Sequence, residues 1–260
     1  MAEVRAIGVG AAAVALTVLA ACGQPPPTPW ASPKPSTAAP AATRAPAPPV
    51  QVRQAPAITY PARGHRRWHT APASPRPAGR SGTLLRYRVL VESDIAGLPP
   101  ASFGDAVTAT LSDPRGWTAG GTLRLVRAGP GQAYDFTVYL ATPRTRDGLC
   151  GSGPDAYTSC RKGDKVVLNV ARWVKGVPGY GAPLPVYRQY MVNHEVGHRL
   201  GHGHERCPGR GRPAPVMQQQ TLGLHGCAAN PWPYRGGERY SGTPGVYDDP
   251  VPQPDGGRPA

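Results

Sequence analysis

A chain of 260 residues has room for one domain of ordinary size plus appendages, and its 34 prolines and 33 glycines, about a quarter of the total, mean that part of it is not expected to pack. The formal net charge of +14 would suit a polyanionic partner, but +8 of it falls in residues 23–80, which hold 15 of the prolines and no Asp or Glu. No nucleic-acid motif accompanies that charge, so nucleic acid is set aside, and an anionic membrane or cell-wall surface is the partner the charge suits.

Residues 1–22 read as a targeting segment. The apolar run Ala6–Ala21 is too short to span a bilayer, which needs roughly 20 residues. It ends in Leu19-Ala20-Ala21-Cys22, which resembles the lipobox of bacterial lipoproteins. That resemblance implies a lipid on Cys22 and anchorage at the outer face of the cell membrane; an ordinary signal peptide would instead release the protein. Residues 23–81 then read as a Pro/Ala/Arg-rich disordered linker, and ordered sequence is expected from Gly82.

Leu85, Tyr87, Val89 and Val91 alternate with Arg86, Arg88 and Leu90, a strand period over Leu84–Val91. Ser102–Leu111 suits a helix with Phe103, Val107 and Leu111 on one face, stopped by Asp113-Pro114. Leu123–Val126, Tyr134–Ala141 and Lys165–Val170 read as strands, the first two separated by Gly129-Pro130-Gly131. Leu184–Leu200 is the longest helical stretch, and from Gly236 onward a loose tail is expected. The pattern predicts one α+β domain over residues 82–235 followed by a flexible tail, 236–260.

Apart from Cys22, the cysteines are Cys150, Cys160, Cys207 and Cys227. An even number in an exported chain points to two disulfides. Three connectivities are open, with short loops favouring Cys150–Cys160 and Cys207–Cys227. A thiolate metal site is disfavoured because no Cys-x-x-Cys pair occurs.

The chemistry concentrates in His194-Glu195-Val196-Gly197-His198-Arg199-Leu200-Gly201-His202-Gly203-His204. Histidines four apart on a helix share a face and reach one ion, and neutral imidazoles suit Zn2+. Glu195 is placed to hand a proton between a water and a leaving amine. Gly201 tolerates positive φ, so the chain can turn and return His204 as third ligand, with His202 as a spacer. Three protein ligands leave a fourth position open, the mark of a catalytic rather than a structural zinc.

The extended His-Glu-x-x-His-x-x-Gly-x-x-His pattern resembles the metzincin clan of zinc peptidases. The resemblance implies zinc on His194, His198 and His204, Glu195 as general base, and a methionine turn for which Met217 is the candidate. It also implies a metzincin-like domain in which a mixed twisted sheet carries a central active-site helix. Asp113-Pro114-Arg115-Gly116-Trp117, Asn169-Val170-Ala171-Arg172-Trp173, Tyr187-Arg188-Gln189-Tyr190 and Pro215-Val216-Met217-Gln218-Gln219-Gln220-Thr221 further resemble an actinobacterial exported family of unknown function with such a motif, over residues 82–234.

The expected function is therefore a zinc metallopeptidase acting outside the cell, as a monomer, on a peptide or protein substrate. The alternatives are a cell-wall peptide or amide hydrolase and a non-catalytic, zinc-stabilised surface binding module. By analogy with the clan, Lys165–Val170 is the strand expected to pair with an extended substrate. Tyr234 and Tyr240 are the candidates to assist zinc at the developing oxyanion.

Overall fold

The computed structural model describes residues 56–151 and 153–254. The expected targeting segment, Cys22, the first part of the linker and residues 255–260 lie outside them.

The sheet is mixed. Strands β1 (Trp68–Thr70), β2 (Thr83–Glu92), β3 (Leu123–Arg127), β4 (Phe136–Ala141), β5 (Cys160–Lys162) and β6 (Lys165–Asn169) run in the order β1-β2-β4-β6-β5, with β3 also on β2. β2, β3, β4 and β6 are parallel neighbours, while β1 and β5 are antiparallel additions at the two ends. β4 is buried along its whole length, as a parallel strand covered on both faces must be.

The strand period of two divides the side chains between two clusters. Tyr87, Val89 and Val91 join Phe136, Val138, Leu140, Val166 and Leu168 on the face covered by helices α1 (Pro100–Ser112) and α4 (Leu184–Arg199). Leu90, Tyr139, Ala141 and Val167 point to the other face, where helix α2 (Pro143–Cys150) and Trp68 close over them. Phe103, Val107 and Leu111 are the buried stripe of α1, and Asp113 leaves the helix in extended conformation ahead of Pro114.

Three expectations are corrected. Residues from 56 to 81 belong to the folded unit rather than to a disordered linker: β1 pairs with β2, Thr59 bridges Ala96, Ala78 bridges Leu125, and Tyr60 and Ala71 are core residues. This segment covers the edge of β2 that β3 leaves bare, and an uncovered edge invites aggregation. The tail is also packed: β7 (Tyr234–Arg235) and β8 (Glu238–Arg239) form a hairpin. Its two-residue turn needs positive φ twice, which Gly236 (58°) and Gly237 (86°) supply. Finally, β6 is flanked by β4 and β5, so it has no free edge for a substrate; β5 ends the sheet.

Both disulfides join the cysteines that short loops favour, Cys150 to Cys160 and Cys207 to Cys227, with Cα separations of 6.2 and 5.9 Å. The first ties α2 to β5. The second closes the segment that follows His204. Among the described residues no helix is long and apolar enough to cross a membrane.

Candidate metal centre

α4 carries His194 and His198 one turn apart, and its C-terminus is built to bring the chain back. Gly201 takes φ 95°, its amide bonds the carbonyl of His198, and the amide of His202 bonds that of Gly197. These are the 5→2 and 6→1 bonds of a Schellman ending, which needs a residue tolerant of positive φ at Gly201. The reversal returns His204 to the other two histidines: His198 Nε2 stands 3.2 Å from His194 Nε2 and 3.0 Å from His204 Nε2.

Two of the rings are held in one tautomer. His194 Nδ1 donates to the Val216 carbonyl and His198 Nδ1 to the His202 carbonyl, both at 2.8 Å. Each donation leaves the Nε2 lone pair facing the cluster. Two such lone pairs about 3 Å apart repel unless a cation lies between them. A tetrahedral zinc with bonds of roughly 2.0–2.1 Å holds its nitrogens roughly 3.3–3.4 Å apart, close to the spacing here. Burial lowers the proton affinity of all three imidazoles, that of His204 to about 4, with the neighbouring histidines adding to the effect on His194 and His204. They are neutral near pH 7, the form a metal requires. The donor set fits zinc, and among the described residues no fourth His, Cys, Asp or Glu joins these three.

The cluster opens on a cavity of about 310 Å3, which Thr158, Ser159, Arg161, Gln219, Thr221 and Leu222 also line. Glu195 lines it too. Its carboxyl is buried, and Oε2 has no hydrogen-bond partner among the described residues. Burial, only partly opposed by Arg146 and Arg161, pushes this carboxyl up to about 8.

Met217 lies beneath the helix, fully buried. A Cβ on Gly197 would come 2.6 Å from Trp117 Cζ2 and closer still to Met217 Sδ, so the helix rests on both side chains where it has none of its own. The same turn supplies the Val216 carbonyl to His194 and the Gln218 carbonyl to the Tyr190 hydroxyl. Trp117 donates to the Asn193 carbonyl at 2.8 Å and stacks on His202, ring centres 4.4 Å apart. His202 is thus a spacer whose carbonyl orients His198 and whose ring packs outside the cluster.

Tyr234 and Tyr240 are not brought to the cavity. The Tyr240 hydroxyl donates to the Pro213 carbonyl, and the Tyr234 hydroxyl packs at Gly120, so neither faces a reacting group. Sequence reasoning missed Trp117, Tyr190 and Arg161, and it missed the tail. Gly197 carried a readable signal, because glycine inside a helix costs roughly 1 kcal/mol relative to alanine and implies a close neighbour.

The tail acts on the third ligand. The Gly245 amide donates to the His204 carbonyl (3.0 Å), the Arg206 amide to Thr243 (2.8 Å), and the Glu205 amide to Met217 (3.1 Å). His204 is therefore pinned between the turn at Met217 and residues 242–245. Removing residues 241–260 is expected to weaken zinc binding by roughly 10- to 100-fold, the usual effect of losing groups that orient a ligand. Competition with a chromophoric chelator measures it, and unchanged affinity would show that the turn alone positions His204.

A mixed α+β domain with a three-histidine cluster, His194 buried and His198 and His204 half-buried, opening on a cavity defines the class. The chain belongs to the family described as Protein of unknown function (DUF3152), whose model matches residues 54–229. That match starts close to the first described residue, in keeping with the packed segment ahead of β2. No curated protein and no solved structure matches the chain.

Proposed function

We propose that this protein is a zinc metallohydrolase of metzincin type that cleaves peptide-like amide bonds outside the cell. The observation that carries the reading is the open side of the cluster. Three neutral imidazoles converge, no fourth protein ligand closes the set among the described residues, and the unpartnered Glu195 carboxylate lines the same cavity. A structural zinc is closed by four protein ligands, so this geometry favours catalysis over a surface binding module. Met217 under the helix, at the carbonyl that holds His194, fits the methionine turn of that clan.

Zinc in this site would polarise the scissile carbonyl and make a water acidic near neutral pH. Glu195 takes the proton from the attacking water and returns it to the leaving amine nitrogen. Burial keeps bulk water from competing at Oε2. An extended substrate lies along β5, whose outer side carries no strand among the described residues, in place of the β6 expected from the sequence.

The two disulfides support export to an oxidising compartment, in line with a targeting segment and lipid anchorage through Cys22. The test is cleavage of mixed peptide and cell-wall peptide libraries by the zinc-loaded protein, read by mass spectrometry, with and without a hydroxamate. Cleavage that the hydroxamate abolishes is expected. A zinc-loaded protein that cleaves neither library and binds no hydroxamate would refute the enzyme.

A further inference from the structure

β5 does more than offer a backbone edge. Arg161 stands at its centre, opposite Val166, and its side chain lines the cavity that holds the histidines and Glu195. It is exposed, and no carboxylate pairs with it among the described residues. Apart from Glu195, it is the one Asp, Glu, Lys or Arg among the described residues that line the cavity.

The backbone beneath Arg161 is held firmly. Cys160 is joined to Cys150 of α2. The loop just before it is braced by buried Arg146, which bonds Asp155 Oδ2 (2.9 Å) and the Thr158 hydroxyl (2.8 Å). An unpaired guanidinium on a fixed strand, solvated at one end of a substrate-sized cleft, is a preformed receptor for a carboxylate, which it can grip through two parallel N–H donors.

We infer that the cleft takes an extended peptide carrying a carboxylate, from an acidic side chain or a free C-terminus, which pairs with Arg161. The inference rests on the metallohydrolase reading and names its substrate class. It also accounts for Arg161 having no carboxylate partner among the described residues: the anion arrives with the substrate. Lys162 supplies an internal control. Successive side chains of a strand point to opposite sides, and Lys162 is exposed but does not line the cavity.

The test uses the zinc-loaded full chain and three peptide hydroxamates of one backbone: one with a glutamine and an amidated end, one with a glutamate in its place, and one with the glutamine and a free C-terminal carboxylate. Affinities are measured by calorimetry for wild type, Arg161→Ala, Arg161→Lys and Lys162→Ala. At least one carboxylate-bearing hydroxamate should bind about tenfold tighter than the neutral one, the scale of a charge-assisted hydrogen bond in an open cleft. Which of the two gains identifies the source of the carboxylate. The advantage should vanish in Arg161→Ala, return in large part in Arg161→Lys, and persist in Lys162→Ala. Equal binding of all three hydroxamates by wild type would overturn the role of Arg161 and leave the zinc hydrolase standing. Loss of the advantage in Lys162→Ala as well would reduce it to general charge. If no hydroxamate binds a protein holding zinc, the hydrolase reading and this inference both fall.

Discussion

Glu195→Gln is expected to keep its zinc and lose hydrolysis by roughly 10²–10⁴-fold, the share that general acid–base catalysis supplies. The histidines and the glutamate are neighbours in sequence but hold separate jobs in the structure. The three Nε2 atoms face one another, and the carboxylate stands outside that set with Oε2 unpartnered. Glutamine keeps the shape and removes the proton acceptor. It also removes a buried group that resists ionisation, so the variant should be at least as stable as wild type without metal. Metal content by elemental analysis and turnover on the best library substrate separate the two effects. His198→Ala should lose the metal itself. If Glu195→Gln releases zinc as fully as His198→Ala, the carboxylate is a ligand and the division of labour is wrong.

Gly197→Ala tests the floor of the site. At an ordinary position inside a helix this change stabilises by roughly 0.5–1 kcal/mol, because alanine loses less backbone entropy. Here the new Cβ runs into Trp117 Cζ2 and Met217 Sδ. The methionine is fully buried and has no room to move aside, and the Trp117 ring is fixed by its bond to Asn193 and its stack on His202. Overpacking of this kind costs typically 1–3 kcal/mol, so the clash outweighs the entropy gain. A displaced Trp117 also shifts His202, whose carbonyl orients His198, so weaker zinc binding is expected together with the lower stability. Urea denaturation of the metal-free protein and chelator competition read the two quantities. A variant more stable than wild type would show that the floor yields and that Gly197 is not needed for close approach.

The centre of the fold was legible because its signals are local and periodic. β2 alternates apolar and basic residues from Leu85 to Val89, α1 shows Phe103, Val107 and Leu111 at four-residue spacing, and Asp113-Pro114 ends it. The three histidines and Gly201 stood in a single eleven-residue stretch, so spacing alone foretold both the shared face and the turn. The cysteine pairing followed from loop length. What escaped depends on long-range partners. The prolines between 56 and 81 mask scattered apolar residues that find partners only in β2 and the core. The tail looks featureless until Gly245 and Thr243 meet His204 and Arg206. β5 has three residues, too few for a period, and is a strand only because β6 pairs with it. α2 was assigned no element from the sequence, although Thr142-Pro143 is a fair helix start. Tyr234 and Tyr240 were picked for their hydroxyls, and nothing in the sequence showed that one would face Pro213 and the other Gly120.

Zinc X-ray absorption on the purified, metal-loaded protein tests the central claim most directly, because coordination number and ligand type are what separate a hydrolase from a closed structural site. One zinc per chain is predicted, with three imidazole nitrogens at roughly 2.0–2.1 Å and one exchangeable oxygen that a hydroxamate replaces. A fourth protein ligand that hydroxamate leaves in place, or a chain that takes up no zinc, would contradict the account.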